Sequence, residues 1–477
     1  MKKRYRSLCA GLMLLLSAGC TKDFLEKEPI GRVSKEVLLQ DMDGARAALA
    51  GAYNRMSYYY SREFLMYPDI ASDDVRLKMT GNSSDAQLVL FNEHNFQSNP
   101  DDDELAVGHI WLNIFEALDN VNNLINAIPR LKELEPTFVQ ELEAIRGQAL
   151  IMRALCHYDL SRAYAQHYTF TADAQHWGAP ILLKTPGPDD QVRRATMKDT
   201  YAQIIKDLEE GASVLQNGPV LSPFEASHYS AWALLSRVYL YMEDWEKAKA
   251  YADKVIEAPV YMLTDSANYK AMYLEQQPGA EVIWQLYNRD YSASTVAAVY
   301  STPSFRAYAS EQLWGLYDPA DVRGTVFGES GGKHYSLKYG KAEDLQDDQW
   351  PIDPKVVRLS EVILNRAEAA WHLGQQALAA ADLKRIRERA MPSAAPVEEE
   401  LTGEQLYQAI NVERRKELAF EGHRLFDVTR RKEDLVRGEG CAAAVCFLEY
   451  PNVRFILPIP SLELDANKAM QPNPVIN

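Results

Sequence analysis

Cysteine, histidine and long apolar runs are all scarce in this 477-residue chain, and each scarcity removes a class of function. Five cysteines and nine histidines form neither paired C-x-x-C motifs nor an H-E-x-x-H run, so the common zinc sites lack ligands. P-loop and dinucleotide fingerprints are absent as well, and no cofactor is expected. Glycine and proline, 24 and 23 residues, follow no short period, which excludes collagen-like and low-complexity chains. Basic residues are the minority charge: 51 Lys and Arg face 67 Asp and Glu, a formal net charge of −16. That field repels a phosphate backbone, and no basic stretch of sequence offsets it, so nucleic acid is not an expected partner. After residue 20, no apolar stretch is long enough to cross a bilayer.

What is present is an ordinary globular balance, 47% apolar and 25% charged, with an excess of 26 Tyr over 14 Phe. The first 20 residues, MKKRYRSLCAGLMLLLSAGC, follow the three-part plan of a secretory signal: basic residues, an apolar run from Leu8 to Leu16, then small residues. Ser17-Ala18-Gly19 before Cys20 resembles a bacterial lipobox, although Ser17 stands where the strict pattern prefers leucine. The expectation is a signal peptide over 1–19 and a lipid on Cys20 that anchors the mature chain to a membrane. Of the remaining cysteines, Cys441 and Cys446 are close enough for a local disulfide. Cys156 lies in an apolar helical stretch and reads as a buried thiol.

The body reads as helical. Trp111, Ile114, Phe115, Leu118, Val121, Leu124, Ile125 and Ile128 recur at three and four residues, a helix expected to stop at Pro129. A second helix runs from Phe138 to about Ala165, and a third from Thr200 to Leu215. Ala231–Pro259 comes close to the tetratricopeptide (TPR) pattern of two antiparallel helices. Leu359–Ala390 forms another pair with its turn at Leu373-Gly374, and weaker pairs fall at 105–165 and 404–431. No fixed 34-residue period holds, because irregular segments separate the pairs: 57–104, 166–198, 260–357 and 432–477. Short strands are expected at Glu281–Tyr287 and Val453–Pro458. Trp111, Trp232, Trp245 and Trp371 read as packing between helices.

Several stretches resemble one family. CTKDFLEKEP from Cys20 resembles the mature start of SusD/RagB-type outer-membrane lipoproteins. Arg146–Tyr164 followed by GAPILL, Arg358–Gly374 with DLKRIRERA, Glu413–Lys432 and Leu457–Pro474 are similar to that family's signatures and occur in its order. The resemblance implies a mainly α fold in which TPR-like helix pairs support an irregular, loop-rich lobe with a few short strands. It divides 20–477, as one unit, into an N-terminal part (20–220), a TPR-like pair (221–259), a ligand-binding lobe (260–357) and a C-terminal part (358–477). It also implies a cell-surface lipoprotein that binds oligosaccharide or polysaccharide and passes it to a SusC-like TonB-dependent outer-membrane transporter. Some relatives handle peptides instead. No catalysis is implied.

Other motifs invite chemistry. Gly328-Glu329-Ser330-Gly331-Gly332 matches the G-x-S-x-G nucleophile elbow, but no helix follows it and the chain lacks alternating βα units. A helical-scaffold glycoside hydrolase needs a carboxylate pair that abundant Asp and Glu do not single out. The cluster Glu413, Arg414, Arg415, Glu417, Glu421, His423, Arg424 and Asp427 is spaced to pair opposite charges on a helix. Asp101–Glu104 lacks an EF-hand pattern and sits where it would complement the dipole of the helix after it. Loop aromatics differ: Phe91, Phe96, Tyr287, Tyr291, Tyr300, Tyr308, Trp314, Tyr335 and Trp350 lie beside Asn, Ser and Asp. A sugar ring stacks its C–H face on such rings while its hydroxyls need polar partners. The ligand site is therefore expected on Phe91, Phe96, Tyr287, Tyr291, Tyr300 and Trp314, with Asn92 and Arg306 as polar partners.

Overall fold

The computed structural model describes residues 35–187, 189–219, 222–274, 279–288, 294–302, 304–340, 352–392 and 401–474. The signal segment, Cys20, Tyr291 and Trp350 lie outside them. The longer helices are α1 (Met42–Tyr60), α2 (Glu63–Ile70), α3 (Ala106–Leu134), α4 (Val139–Tyr164), α5 (Met197–Leu215), α6 (His228–Tyr241), α7 (Trp245–Ile256), α8 (Leu359–His372), α9 (Gln376–Ala390), α10 (Gly403–Glu417) and α11 (Arg424–Arg430). Their starts are written in local chemistry. Asp41, Thr196 and Asp244 each accept a backbone N–H of the first turn of α1, α5 and α7, and Ser227 and Ser230 form a reciprocal capping box on α6. Gly374, at φ 73, makes the expected left-handed turn between α8 and α9.

From α3 to α9 each helix packs on the next in the chain, and α10 closes the stack on α8 and α9. The irregular segments therefore leave and rejoin the stack without interrupting it, so helix order is continuous where the sequence period is not. Two expectations change. Pro129 does not end α3, which runs one further turn to bury Leu131 completely; that burial offsets the missing N–H. The 404–431 segment is not a helix hairpin either, because α11 turns away to pack on α2. Aromatics tie the stack together: Trp245 stacks on His372 at 3.8 Å, and Trp371 Nε1 donates to the Gly403 carbonyl at 2.7 Å.

Short strands pair two by two, all antiparallel: β1 (Val75–Leu77), β2 (Val282–Gln285), β3 (Ala307–Ala309), β4 (Phe327–Ser330), β5 (Lys333–Ser336), β6 (Lys355–Arg358), β7 (Leu435–Val436) and β8 (Phe447–Leu448). The pairs are β1–β3, β2–β6, β4–β5 and β7–β8. β2 fulfils the expected strand near 281–287, whereas Val453–Phe455 is a single 3₁₀ turn because Asn452 caps it at Arg454 N. Cys441 and Cys446 form a disulfide in the β7–β8 connection, and Cys156 is a buried free thiol. One hydrophobic core runs from Leu39 to Met470, and Trp284 and Tyr300 from the lobe sit within it at 0% exposure.

The scaffold and lobe meet at a buried ion network. Arg358, the residue before α8, contacts Glu281 at 2.5 Å, Glu417 at 3.0 Å and Glu421 at 2.9 Å. Arg389 at the end of α9 bridges Glu281 and Glu417 at 3.0 and 2.6 Å. Arg323 joins Asp321, Glu413 and Glu417, Lys338 reaches Glu421, and Lys416 reaches Asp321. Every one of these side chains is buried, and cations match carboxylates in number. The acidic–basic cluster read from the sequence is thus structural, although its partners come from other segments rather than from three or four residues along the same helix.

Burial pushes the Glu421 carboxyl up, but Arg358 and Lys338 outweigh it and hold the group at about 2. Glu361 is likewise at about 2, where burial is outweighed by Arg237. Both lie below the unfolded value of about 4.3. Their contribution to stability is present above that value and is lost as pH falls toward 2. Asp69 runs the other way, because burial lifts it to about 8, so it withdraws stability as pH rises from about 4 to 8. Thermal unfolding followed by circular dichroism should show Tm falling steeply between about pH 4.5 and 2. Arg358→Met, which removes a shared cation from three buried carboxylates and leaves the network with one more carboxylate than cation, should lower the urea-unfolding free energy by about 3–5 kcal/mol.

Candidate functional site

A set of half-exposed aromatics surrounds the β4–β5 hairpin. Its turn is Gly331-Gly332, at φ 62 and 75, a conformation that side-chained residues adopt only with strain. The GESGG motif is therefore a hairpin turn. Ser330 is exposed at its tip and the chain returns as a strand, not as the helix a nucleophile elbow requires.

Strand alternation divides the hairpin's side chains between two sides. Phe327 and His334 face Trp314: the His334 ring stacks on Trp314 at 3.7 Å and 11°, and Phe327 meets it edge-on at 5.4 Å. Tyr335 and Lys333 face the other way, toward β3. Tyr335 stacks on Phe305 at 4.7 Å and 11°. It lies across Gly328, where a Cβ would come within 2.4 Å of the ring. Lys78 Nζ sits 4.3 Å from the centre of the Phe305 ring, and Lys333 Nζ is 4.2 Å from that of Tyr308 and donates to its hydroxyl at 3.1 Å. The platform is rigidly held from below. Ser310 caps the short helix Glu311–Trp314, and its backbone N–H and hydroxyl donate to the Asp74 and Asp73 carbonyls, both at 2.7 Å. Those two carboxylates are in turn paired with Arg415 and Arg424.

The β1–β3 pairing, Val75 to Ala309 through Leu77 to Ala307, brings the segments after 77 and before 310 side by side. Of the expected ligand residues, Trp314 is half-buried against the hairpin and Arg306 is exposed beside β3. Tyr300 is a correction. It is 0% exposed, edge-on to Phe420 at 4.9 Å, and belongs to the core that seats the lobe. Phe96 is a second correction: only 5% exposed, it packs edge-on against Phe455 with the Arg437 guanidinium 5.0 Å above it. Phe91 is half-buried in the short helix Phe91–His94, and Asn92 Nδ2 already donates to Asp102 at 3.0 Å. Tyr287 is 63% exposed and meets Phe224 edge-on at 5.6 Å. Phe327, His334, Tyr308 and Tyr335, none of them among the expected ligand residues, are the half-buried rings that flank the hairpin, while Phe305 is buried beneath Tyr335. The available signal was the Ser-Gly-Gly-Lys turn, which marks a hairpin with aromatics on both flanks.

The acidic run at 101–104 directly precedes α3, and one of its residues also caps a second helix. Asp103 accepts the Leu462 N–H at 3.2 Å and the Ser461 hydroxyl at 2.6 Å, at the start of Ser461–Ala466. A cavity of about 70 Å³ lies beside Phe96, Glu93, Arg454 and Asn473, with room for a few waters. Among the described residues, no cluster of three His, Cys, Asp or Glu is placed to hold a metal ion, and no helix is long and apolar enough to cross a membrane.

Two family models match in succession. Residues 23–240 match one described as starch-binding and associating with the outer membrane (SusD-like), and residues 274–475 match the SusD family model. The chain belongs to the SusD/RagB family. The SusD-like protein P2 of Formosa agariphila is 24% identical, with the alignment covering 99% of both chains. A SusD superfamily protein of Bacteroides thetaiotaomicron superposes with a TM-score of 0.81 at 26% identity, over 91% of this chain and 99% of its own. The surface glycan-binding protein A of Bacteroides fluxus shares the fold, with a TM-score of 0.72 at 20% identity, over 91% of this chain and 99% of its own. The expected mainly α, SusD-like architecture is thus present. The SusD signatures at 358–374 and 413–432 coincide with the ion network and the helices that carry it.

Burial separates platform from core. Tyr300→Ala should lower stability by about 3–5 kcal/mol in urea unfolding. Trp314→Ala, half-buried at the hairpin, should cost less than half as much. An equal loss for both would place Trp314 in the core.

Proposed function

We propose that this protein captures glycan at the bacterial surface and hands it to a SusC-like TonB-dependent transporter, held to the outer membrane by lipid on Cys20. The observation that carries the reading is the half-exposed aromatic set around the β4–β5 hairpin, with Trp314 on one side and Tyr308 and Tyr335 on the other. The family description, starch-binding and outer-membrane associated, supports it. Catalysis has no evident apparatus in this reading; the protein binds and releases.

Capture followed by release sets the energetics. A stacked ring contributes about 0.5–1.5 kcal/mol beyond area burial, by analogy with aromatic pairs. Two or three rings with a few hydrogen bonds give roughly micromolar to millimolar affinity. That is weak enough to surrender a cargo to a transporter. Rigid loop aromatics suit the task because little conformational freedom is lost on binding.

A glycan array on the soluble chain from residue 21 onward should identify the ligand, and calorimetry should then measure it. Tyr308→Ala and Trp314→Ala should each weaken binding several-fold. Absence of any bound glycan, or sustained cleavage of the bound one, would overturn the proposal. For the anchor, mass analysis of the N-terminal peptide should find an acylated Cys20, and Cys20→Ala should leave the membrane fraction.

A further inference from the structure

The surroundings of the platform are out of character with the rest of the chain. The protein is formally −16 overall, and its buried arginines are mostly paired with carboxylates. Around Tyr308 the balance reverses. Lys78 and Arg306 are exposed and continue the β1–β3 ladder by one pair, the Lys78 N–H donating to the Arg306 carbonyl at 2.8 Å. Lys333 lies over Tyr308. Among the described residues, none of these three cations has a carboxylate within ion-pair distance; Lys78 and Lys333 rest on aromatic rings instead.

The same ladder carries a fourth charge. Arg76 sits directly across the ladder from Tyr308 and is 3% exposed. All three of its guanidinium nitrogens are buried without a hydrogen-bond partner. An arginine cannot shed its charge, so a buried, unpaired guanidinium is normally compensated by an anion or by water. Its field is also screened less by salt than that of an exposed lysine. Exposed Lys78 and Arg306 and half-exposed Lys333, beside the half-exposed rings of Tyr308 and Tyr335 and with Arg76 across the ladder, make a local positive site on an acidic protein.

Resting on the glycan-capture reading, we infer that the hairpin site selects anionic polysaccharides, pairing carboxylate or sulfate groups with Lys78, Arg306 and Lys333 while the sugar rings stack on Tyr308 and Tyr335. The overall negative charge keeps other polyanions away, so recognition of an anionic chain must come from this patch. A peptide reader would need side-chain pockets or a free strand edge for backbone pairing. What is offered here is a ring surface studded with cations, which matches a charged sugar.

Affinity gel electrophoresis of the soluble chain through polygalacturonate, dextran sulfate and neutral dextran tests this directly. Migration should be retarded by at least one anionic gel and not by dextran, and the effect should fade between 50 and 500 mM NaCl. Which anionic gel retards it distinguishes carboxylate from sulfate recognition. The triple variant Lys78→Ala/Arg306→Ala/Lys333→Ala should bind roughly tenfold more weakly, with unchanged Tm because all three side chains are at the surface. Equal retardation by dextran, no retardation by either anionic gel, or full retention by the triple variant would each overturn the inference. Equal competition by poly-L-glutamate would also overturn it, as a peptide reader would then be favoured. Neutral-glycan binding that depends on Tyr308 but not on the cations would leave the capture reading standing and remove only its anionic selectivity. Failure to bind any glycan on an array removes both.

Discussion

Arg358 holds the two halves of this molecule to each other. It is the last residue of β6 and the one before α8, so its backbone joins a lobe strand to a scaffold helix. Its guanidinium reaches Glu281 from the segment before β2, Glu417 at the end of α10 and Glu421 in the turn that follows. Arg389, Arg323 and Lys338 complete the arrangement from three further directions. A buried network of this kind adds little net stability over a well-packed apolar substitute, yet leaving any one member unpaired is expensive. The consequence is geometric: the lobe docks in one register or strands several charges.

That register is what positions the platform. The lobe is sewn to the N-terminal part by β1–β3 and to the scaffold by β2–β6, and its floor is made of fully buried aromatics, Trp284 and Tyr300. On this floor the β4–β5 hairpin stands with aromatics packed on each side. Gly328 leaves room for Tyr335, and the double-glycine turn reverses the chain tightly enough to keep Lys333 and His334 near their partners. Rings that are already immobilised by their neighbours can stack on a sugar with small entropic cost. The same logic places a loop-borne function on a scaffold that does not move.

Legibility in the sequence followed physical range. Helices were readable because their signal is local: apolar spacing, caps and the Gly374 turn located α6, α7, α8 and α9 closely. The Glu413–Asp427 charge cluster was legible as ion-paired from its mixed charge, although its partners Arg323, Lys338 and Arg358 lie far away in the chain. Pro129 misled because buried Leu131 outweighs a lost hydrogen bond, a fact of tertiary packing. The site was legible as a region and not as residues. Tyr300 and Tyr308 look alike in sequence, each in an irregular segment beside polar neighbours; only the fold sends one into the core and leaves the other at the surface. Arg76 carried no signal at all, since its burial and lack of a partner arise from strand pairing across more than 200 residues.

Hydrogen–deuterium exchange of the soluble chain, with and without a saturating bound oligosaccharide, tests most directly whether the hairpin is the ligand site. Amides of β3, β4 and β5 and of the segment following β1 should become protected on binding, while α8 and α9 should exchange unchanged. Protection confined to the 452–474 segment beside the small cavity, with the hairpin unaffected, would contradict the account.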